Sequence, residues 1–265
     1  MNDRLLHNLC LKGKNFHFRI SKHIITDIDK KFEMYRVIAI IPAAGIGARM
    51  ASNKAKQFIE LGGKPILAVT LSHFQKCNLV DKIVVVVPKD DVDYCNCEIV
   101  DRYKYSKVFK VVAGGKRRQD SVRKGLDAVG DLCRWVLIHD GVRPLVTTEL
   151  IEKVIKAKEK FRAVITGLPA KETVKELDAQ SMVLRSIYRS HLSLIQTPQI
   201  FQFEDLNLAH QKAIKDGWEE ATDDALLIEK MGIPVKIIEG EENNIKVTTP
   251  RDLDIARFLM SKINA

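Results

Sequence analysis

An apolar, β-branched run that leads directly into a glycine-containing loop limits the folds open to this chain more than any other stretch. The run covers residues 37–41, ends at Pro42 and continues into Ala43-Ala44-Gly45-Ile46-Gly47-Ala48-Arg49-Met50. Short runs of this kind are typical of strands buried in a parallel sheet. Glycines let loop amides come close to a ligand, and exposed N–H groups bind phosphate oxygens. Because Arg49 and Lys56 add positive charge, the sequence predicts a phosphate site at the end of a strand.

Two common kinds of phosphate loop are excluded by the residues around Gly45 and Gly47. A Walker A loop needs a glycine, four residues and then Gly-Lys-Ser/Thr, and this chain contains no such run. A dinucleotide-binding fingerprint needs a third glycine three residues after the second, where this chain has Met50. By themselves, the two glycines favour a simple tight turn.

Strand-like and helix-like patterns alternate from residue 35 onward. Further apolar strand runs lie at 83–87, 108–112, 135–138, 163–168 and 235–238. Helical patterns lie near 66–76, 117–129, 148–160, 203–215 and 224–231. This alternation predicts an α/β, Rossmann-like fold in which a mainly parallel sheet is covered by helices on both faces. In such sheets ligands bind at the carboxyl ends of the strands.

Residues 171–199 interrupt that alternation. Short apolar and polar residues alternate there, which predicts a protruding two-stranded β-arm that turns near 178–181. A two-stranded hairpin has little core of its own and needs a second surface. We therefore predict a homodimer that forms through an arm at about 171–195.

Charge and composition bound the class of protein. The chain has 265 residues, 46% hydrophobic and 29% charged, and no apolar run approaches the roughly 20 residues of a membrane span. The net charge of +9 is spread among acidic residues, and no nucleic-acid recognition motif is visible. A positive field also suits an enzyme whose substrates carry phosphates. We expect neither a nucleic-acid partner nor a membrane partner.

The N-terminal segment and the cysteines lead to expectations about the domain organisation and the cellular compartment. Residues 34–265 are expected to form one domain, preceded by an extension, 1–33, that is either a disordered arm or the result of a misread start. Organelle transit peptides are rich in Ser, whereas this extension has Ser21 alone, so targeting is the weaker interpretation. Five cysteines without metal-site spacing indicate reduced thiols in the cytoplasm.

Two segments after predicted strands carry residues suited to phosphate chemistry. His139-Asp140-Gly141-Val142-Arg143-Pro144 follows one strand, and Asp140 could hold a magnesium ion there. Alternatively, Asp140 caps the next turn and pairs with Arg143. Gly114-Gly115 leads from another strand into a helix, where amides can bind a base edge or negative charge.

Three later segments are ambiguous when each is considered alone. Lys246 stands in an apolar, strand-like run, where a lysine more often extends to the surface than reacts. Thr222-Asp223-Asp224 opens a helix and fits an N-cap. Gln196-Thr197-Pro198-Gln199 fits a turn.

Taken together and in order, these motifs resemble the 2-C-methyl-D-erythritol 4-phosphate cytidylyltransferase family of nucleotidyltransferases. The shared pattern covers roughly residues 35–263. Its motifs are the first glycine loop with Arg49 and Lys56, Gly-Gly-x-x-Arg-x-x-Ser-Val, Asp-x-x-Arg-Pro, Thr-x-Lys, Thr-Pro-Gln-x-Phe, Thr-Asp-Asp and Asn-Ile-Lys-x-Thr. The resemblance implies a fold of the nucleotide-diphospho-sugar transferase type.

The resemblance also implies an activity and roles for individual residues. Members of the family transfer CMP from CTP to methylerythritol 4-phosphate in the non-mevalonate isoprenoid pathway and release pyrophosphate. The residues implied to be catalytic are Arg49, Lys56 and Lys246. The residues implied to bind CTP are Pro42, Ala43, Ala44, Gly45, Gly47, Gly115 and Ser121. The residues implied to bind the sugar phosphate are Asp140, Arg143, Thr222 and, from the arm of a neighbouring subunit, Thr173 and Arg189. Asp140 is also the implied ligand of Mg²⁺ or another divalent cation.

The chemistry of such a transfer agrees with these residue types. A phosphate monoester has a second pKa of about 6, so near neutrality it is already a nucleophile and needs no general base. The enzyme must supply alignment and positive charge around phosphorus, which Arg, Lys and Mg²⁺ provide.

Two other functions fit the same sequence. Ribitol-5-phosphate cytidylyltransferases share the chemistry but more often have Leu-Ala-Gly-Gly where this chain has Pro42-Ala43-Ala44-Gly45. A non-catalytic nucleotide- or RNA-binding protein would bind without turnover.

Overall fold

The computed structural model of the protein describes residues 35–45, 55–218 and 221–263. The predicted extension 1–33 and the predicted site residues Gly47 and Arg49 lie outside the described residues. In the described part of the chain, no helix combines the length and the hydropathy needed to cross a bilayer.

Eleven strands lie in the described residues. They are β1 Tyr35–Pro42, β2 Glu60–Leu61, β3 Lys64–Pro65, β4 Lys82–Val87, β5 Val108–Ala113, β6 Cys133–Ile138, β7 Ala163–Pro169, β8 Val174–Leu177, β9 Val183–Ile187, β10 Ser193–Gln202 and β11 Lys236–Glu239. Seven of them form one sheet in the order β11-β7-β10-β6-β1-β4-β5. Every neighbouring pair in this sheet is parallel except the two pairs that include β10. The prediction of a mainly parallel α/β sheet is confirmed.

The described helices connect and cover these strands. They are α1 Ile66–Lys76, α2 Val92–Tyr94, α3 Arg118–Val129, α4 Thr148–Ala157, α5 Phe203–Lys215, α6 Asp224–Lys230 and α7 Pro250–Ile263. Short 3₁₀ turns lie at Lys56–Phe58, Lys89–Asp91, Gly130–Leu132 and Arg189–His191, and α2 continues into a π-helical segment, Cys95–Asp101.

The side chains of the central strand β1 divide between two cores. Val37, Ala39 and Ile41 point to the face covered by α1, α4 and the π-helical segment. Ile38 and Ile40 point to the face covered by α3, α5 and α6. Successive side chains of a strand alternate between faces, so a run that is apolar at every position requires cover on both sides.

The strand β10 was not predicted. Its residues Gln196–Gln199 were interpreted as a turn, but they lie within an antiparallel strand between β6 and β7. The pairing with β7 shifts register between Gln196 and Gln199, where Pro198 has no N–H to donate. This strand brings Thr197 to the carboxyl end of β6.

The predicted arm is present as a hairpin of β8 and β9, which pair with each other and not with the main sheet. It turns at Asp178–Ser181 as expected, since the Ser181 N–H donates to the Asp178 carbonyl over 3.1 Å. Several large apolar side chains of the arm are exposed, including Met182 at 66% and Tyr188 at 80%.

Candidate active site

Backbone hydrogen bonds join the three loops that follow β1, β5 and β6. The Ala43 N–H donates to the Val86 carbonyl over 2.7 Å, and the Gly141 N–H donates to the Pro42 carbonyl over 3.0 Å. The Gly114 N–H donates to the Val87 carbonyl over 2.7 Å. Because these strands are parallel, their carboxyl ends meet at one edge of the sheet, as the sequence predicted.

These loops form a pocket that we call the first pocket. Its lining consists of small residues and cations, with one carboxylate: Pro42, Ala43, Ala44, Gly45, Lys56, Gly115, Lys116, Arg117, Arg118, Ser121, Asp140, Val142 and Lys246. All the described residues that were predicted to bind CTP are in this set, together with Lys56 and Lys246. The structure therefore brings together segments from β1 to the loop before α7.

The Gly114-Gly115 turn has no room for side chains. A Cβ at Gly114 would lie 2.2 Å from the Ala44 Cβ, and a Cβ at Gly115 would lie 2.4 Å from the Asp120 Cβ. The Gly115 N–H donates to the Ser121 Oγ over 3.1 Å, which fixes the turn at the start of α3. The close contact of this turn with Ala44 explains why glycine is required here.

Asp140 is the centre of a cluster of charges at the floor of the pocket. Its Oδ1 lies 3.1 Å from Arg118 Nε, and its Oδ2 lies 2.8 Å from Lys246 Nζ. Arg143 Nε is 3.6 Å from the same Oδ2. Burial alone would raise the pKa of Asp140, but the charges of Arg118, Lys246 and Arg143 hold it well below its usual range. Asp140 is therefore a carboxylate throughout the ordinary pH range.

A second pocket lies beside the first and shares three lining residues with it: Arg118, Asp140 and Lys246. The rest of its lining comes mainly from β10 and the start of α6: Arg143, Ile165, Ile195, Gln196, Thr197, Gln199, Thr222, Asp223, Leu226, Glu229 and Ile237. Arg143 and Thr222, which were predicted to bind the sugar phosphate, line this pocket. The charged cluster thus lies where two ligands could meet.

The neutral, buried side chain of His139, the first residue after β6, supports this cluster. Asp140 N–H donates to Thr197 Oγ1 over 3.1 Å, and that hydroxyl is 3.0 Å from His139 Nδ1. His139 Nε2 lies 3.2 Å from the Arg143 carbonyl, which can accept from it but not donate. Full burial lowers the pKa of His139 to about 3. The imidazole is therefore a neutral link that orients Asp140 and Arg143, not an acid or base for catalysis.

The loop that carries Lys246 was predicted as a strand-like run, and this part of the prediction is wrong. Lys246 lies in a loop between β11 and α7. The Val247 N–H donates to the Val142 carbonyl over 2.8 Å, and Asn244 accepts from Arg143 Nη1 over 2.7 Å. These bonds tie the loop to the segment after β6 and bring Lys246 to Asp140.

The two predicted site residues in the arm lie apart from the other candidate residues. Thr173 and Arg189 are exposed, and neither lines the first or the second pocket. Arg189 Nη1 donates to the Lys171 carbonyl over 3.0 Å. Their predicted role in a neighbouring subunit stays a prediction.

Arg118 is the functional candidate that the residue assignments missed. It stands inside the Gly-Gly-x-x-Arg-x-x-Ser-Val motif, and it lines both pockets. The signal available in the sequence was its place as the first residue of the helix after two glycines, where a side chain is close to any bound anion.

The donors around Asp140 can be compared with what a divalent cation needs. Both carboxylate oxygens already face cations, and among the described residues no three His, Cys, Asp or Glu side chains are arranged to hold a metal ion. Mg²⁺ keeps several waters and commonly binds through one or two carboxylates together with substrate phosphates. The residues therefore fit an ion held chiefly by a phosphate ligand, with Asp140 as the carboxylate at hand.

Comparisons with known proteins agree on one family. The family model described as 2-C-methyl-D-erythritol 4-phosphate cytidylyltransferase matches residues 37–262. A relative of that name from Caldanaerobacter subterraneus subsp. tengcongensis is 40% identical over 226 residues, which are 85% of this chain and 99% of the relative. Another from Clostridium acetobutylicum is 44% identical over 224 residues, 84% of this chain and 97% of the relative.

Solved structures agree with the sequence relatives. The crystal structure of 4-diphosphocytidyl-2C-methyl-D-erythritol synthase from Anaerococcus prevotii has a TM-score of 0.76 and 34% identity, and the match covers 85% of this chain and 98% of that one. The 2-C-methyl-D-erythritol 4-phosphate cytidylyltransferase of Francisella tularensis has a TM-score of 0.71 and 32% identity, with 84% and 99% covered. This chain therefore belongs to the 2-C-methyl-D-erythritol 4-phosphate cytidylyltransferase family.

Proposed function

We propose that this protein transfers CMP from CTP to 2-C-methyl-D-erythritol 4-phosphate and releases pyrophosphate. The observation that carries the proposal is the pair of pockets that meet at Arg118, Asp140 and Lys246. Group transfer between two bound substrates needs adjacent sites with the reacting atoms at their junction. CTP occupies the first pocket, where small residues leave room for a nucleotide beside the cations, and the sugar phosphate occupies the second.

The charges at the junction favour phosphates. Three cations, Arg118, Arg143 and Lys246, face two carboxylates, Asp140 and Asp224, so this group carries an excess of positive charge. The first pocket adds Lys56, Lys116 and Arg117. Positive groups that are already in place stabilise the charge that develops on phosphorus during transfer.

The reaction needs no proton acceptor from the protein. An oxygen of the substrate phosphate, already ionised near neutrality, forms a bond to the α-phosphorus of CTP while the bond from that phosphorus to pyrophosphate breaks. Lys56 and Lys246, with Arg49 from the first loop, hold the triphosphate. Arg143 and Thr222 hold the sugar phosphate.

A divalent cation, Mg²⁺ or a similar ion, accompanies the nucleotide in this proposal. When bound, it neutralises phosphate charge and makes pyrophosphate a better leaving group. Asp140 is the carboxylate nearest at hand, although its own cationic partners already orient it.

We further propose a homodimer that works in the cytoplasm. The exposed apolar side chains of the arm support association, because a surface of this kind is stabilised when it is covered. Thr173 and Arg189 of one subunit then reach the sugar phosphate bound to the other. The free thiols of the described cysteines, Cys77, Cys95, Cys97 and Cys133, support a reducing compartment.

Steady-state release of pyrophosphate tests the function. Purified protein is given CTP, Mg²⁺ and either methylerythritol 4-phosphate or ribitol 5-phosphate, with ATP, GTP and UTP as comparison nucleotides. We expect turnover with CTP and methylerythritol 4-phosphate and a kcat/KM at least about tenfold lower with ribitol 5-phosphate, because ribitol 5-phosphate lacks the methyl branch and is one carbon longer, and a misfit of that size costs about 1–3 kcal/mol.

The matched variants are Lys56→Ala, in the first pocket, and Lys89→Ala, which removes an exposed lysine outside both pockets. Lys56→Ala should lose activity and Lys89→Ala should keep it. Preference for ribitol 5-phosphate would contradict the proposed substrate, and nucleotide binding without turnover would favour a binding protein instead.

A further inference from the structure

Two buried side chains that lie outside both pockets, Asp224 and His210, form a hydrogen-bonded chain that ends at Arg118. Asp224, the first residue of α6, accepts from Arg118 Nη1 over 2.7 Å. His210, on α5, donates from Nε2 to the other Asp224 oxygen over 3.2 Å. Asp224 and His210 are each only 1% exposed, and neither lines the first or the second pocket. They cannot contact a substrate there directly, so any effect on the reaction passes through Arg118.

Asp224 carries its negative charge in a place where charge is costly. Burial would raise the pKa of Asp224, but the charge of Arg118 and the hydrogen bond from His210 lower it below its usual range. Among the described residues, Arg118 is the one arginine or lysine whose side chain lies within ion-pair distance of the Asp224 carboxylate. A buried carboxylate is tolerated only when it is paired and hydrogen-bonded, so Asp224 and Arg118 fix each other.

The guanidinium is thereby held at two of its three nitrogens. Nε faces Asp140 at 3.1 Å and Nη1 faces Asp224 at 2.7 Å. Nη2 has no hydrogen-bond partner among the described residues. Two carboxylates on different elements fix the plane of the fork, since a guanidinium donates only in that plane. Nη2 is thus a buried, unpaired donor on a side chain that lines both pockets.

We propose that Asp224 is a positioning residue: it is oriented by His210, and it fixes the Arg118 guanidinium in an orientation that lets it contact the reacting phosphates. This inference rests on the proposed function and deepens it, since it adds Arg118 to the groups that touch the substrates. The chain of contacts runs from α5 through α6 to the start of α3 and ends at the edge of the sheet where β6 delivers Asp140.

A purely structural role for the pair makes a different prediction. If His210 and Asp224 only joined α5 to α6, substitutions would lower stability and leave kcat/KM per folded molecule unchanged. A positioning role predicts loss of activity beyond any loss of stability, and rescue by a side chain that restores the hydrogen bond to Asp224.

The test compares three variants with a packing control. His210→Leu removes the donor with little change of volume, His210→Gln keeps a donor nitrogen at a similar reach, and Asp224→Asn removes the charge. Leu206→Val, also fully buried on α5, loosens packing without touching this chain of contacts. For each protein, Tm, kcat/KM for both substrates and a crystal structure are measured.

We expect kcat/KM to fall about 10- to 100-fold in Asp224→Asn, because small misplacements of a group at a reacting centre have effects of this size. His210→Leu should lose about tenfold, the value of one hydrogen bond to a charged group, while His210→Gln stays within about threefold of the wild type. Leu206→Val should lower Tm and keep kcat/KM. In the crystal structures of His210→Leu and Asp224→Asn, the Arg118 guanidinium should leave its position between Asp140 and residue 224.

The inference is overturned if His210→Leu and Asp224→Asn keep wild-type kcat/KM, or if Leu206→Val loses as much activity as His210→Leu. If Asp224→Asn does not fold, the His210→Leu and His210→Gln pair decides. Absence of turnover in the wild type would refute the proposed function separately, and the position of Arg118 in the variant structures would then support or overturn the positioning.

Discussion

Lys246 Nζ lies 2.8 Å from Asp140 Oδ2, so the loop before α7 delivers a cation to the carboxyl end of β6. The two partners differ in environment, since the Asp140 side chain is buried and that of Lys246 is 38% exposed. A buried carboxylate thus holds a cation whose other side faces both pockets. This arrangement orients the ammonium before any phosphate binds.

Lys246→Ala should lower kcat/KM by about 100-fold or more, because removal of one preorganised group that stabilises developing charge typically has this effect. Stability should change by less than about 1 kcal/mol, since a partly exposed ion pair contributes little to folding. Pyrophosphate release and thermal unfolding measure the two quantities. Lys76→Ala, at an exposed position on α1, is the control and should be unaffected. Near-normal turnover of Lys246→Ala would remove this lysine from the mechanism.

Asp140→Asn should destabilise the protein by about 3–5 kcal/mol, because it removes the carboxylate that Arg118, Arg143 and Lys246 share and leaves the largely buried Arg143 without another ion-pair partner among the described residues. The pKa of Asp140 is lowered in the folded state, so its carboxylate contributes stability above the unfolded pKa of about 3.9 and loses that contribution as the pH falls further. The difference in unfolding free energy between wild type and variant should therefore be constant from about pH 5 to pH 9 and shrink below about pH 4.

Denaturant titrations at a series of pH values measure this difference. Asp254→Asn is the control, because Asp254 belongs to an exposed pair with Arg257 and should change stability by less than about 0.5 kcal/mol. A difference that grew on acidification would contradict the assigned ionisation of Asp140.

The parallel strands could be predicted from the sequence because each of them consists of a short run of apolar residues. β10 could not, because its central residues are polar and one is a proline. Gln196, Thr197 and Gln199 are buried although they are polar, since their groups find partners on other elements. Gln199 Nε2, for example, donates to Asp223 Oδ2 over 2.9 Å. A hydrophobic pattern cannot identify a strand that is buried through polar contacts between distant segments.

In the candidate site, too, short motifs could be recognised in the sequence, whereas contacts between distant segments could not. The glycine turns and the lysines could be recognised within short motifs, and the described ones do meet in one pocket. The role of Arg118 depends on Asp224, whose partnership with it is visible only in three dimensions. The Lys246 loop was misjudged for a similar reason, because its N–H and carbonyl groups bond to the segment after β6 and not to a neighbouring strand.

Gly114→Ala should weaken CTP binding, because the new Cβ would lie 2.2 Å from the Ala44 Cβ and 2.9 Å from the Ser121 Oγ. Relief of that overlap must move the first loop or the turn before α3, both of which line the first pocket. We expect KM for CTP to rise at least about tenfold and stability to fall by about 1–3 kcal/mol.

Gly125→Ala provides the control for this substitution. Its Cβ would lie 2.5 Å from Ile40 Cγ2, within the core under α3 and outside the first pocket. It should cost similar stability and leave KM for CTP unchanged. Equal effects of both substitutions on KM would show that the turn acts only through global stability.

Leu184→Glu should convert the proposed dimer into monomers. Leu184 is 60% exposed on β9, so the charge does not disturb the fold of a single chain, but it must be desolvated if the arm packs against a partner. Size-exclusion chromatography with light scattering measures the mass. Leu208→Glu, at a position on α5 that is 53% exposed, should stay dimeric and active. An unchanged mass for Leu184→Glu would exclude the arm as the interface.

Mixed dimers then test whether the arm completes its partner's site. Arg189→Ala keeps an intact pocket but lacks the arm cation, whereas Lys56→Ala keeps the arm and lacks a pocket lysine. Each should be nearly inactive alone. When equal amounts are exchanged at random, half of the dimers pair the two variants, and one of the two sites in each such dimer is complete, so about a quarter of wild-type activity should return. If Arg189 acted within its own chain, no site in a mixed dimer would be complete and mixing would restore nothing.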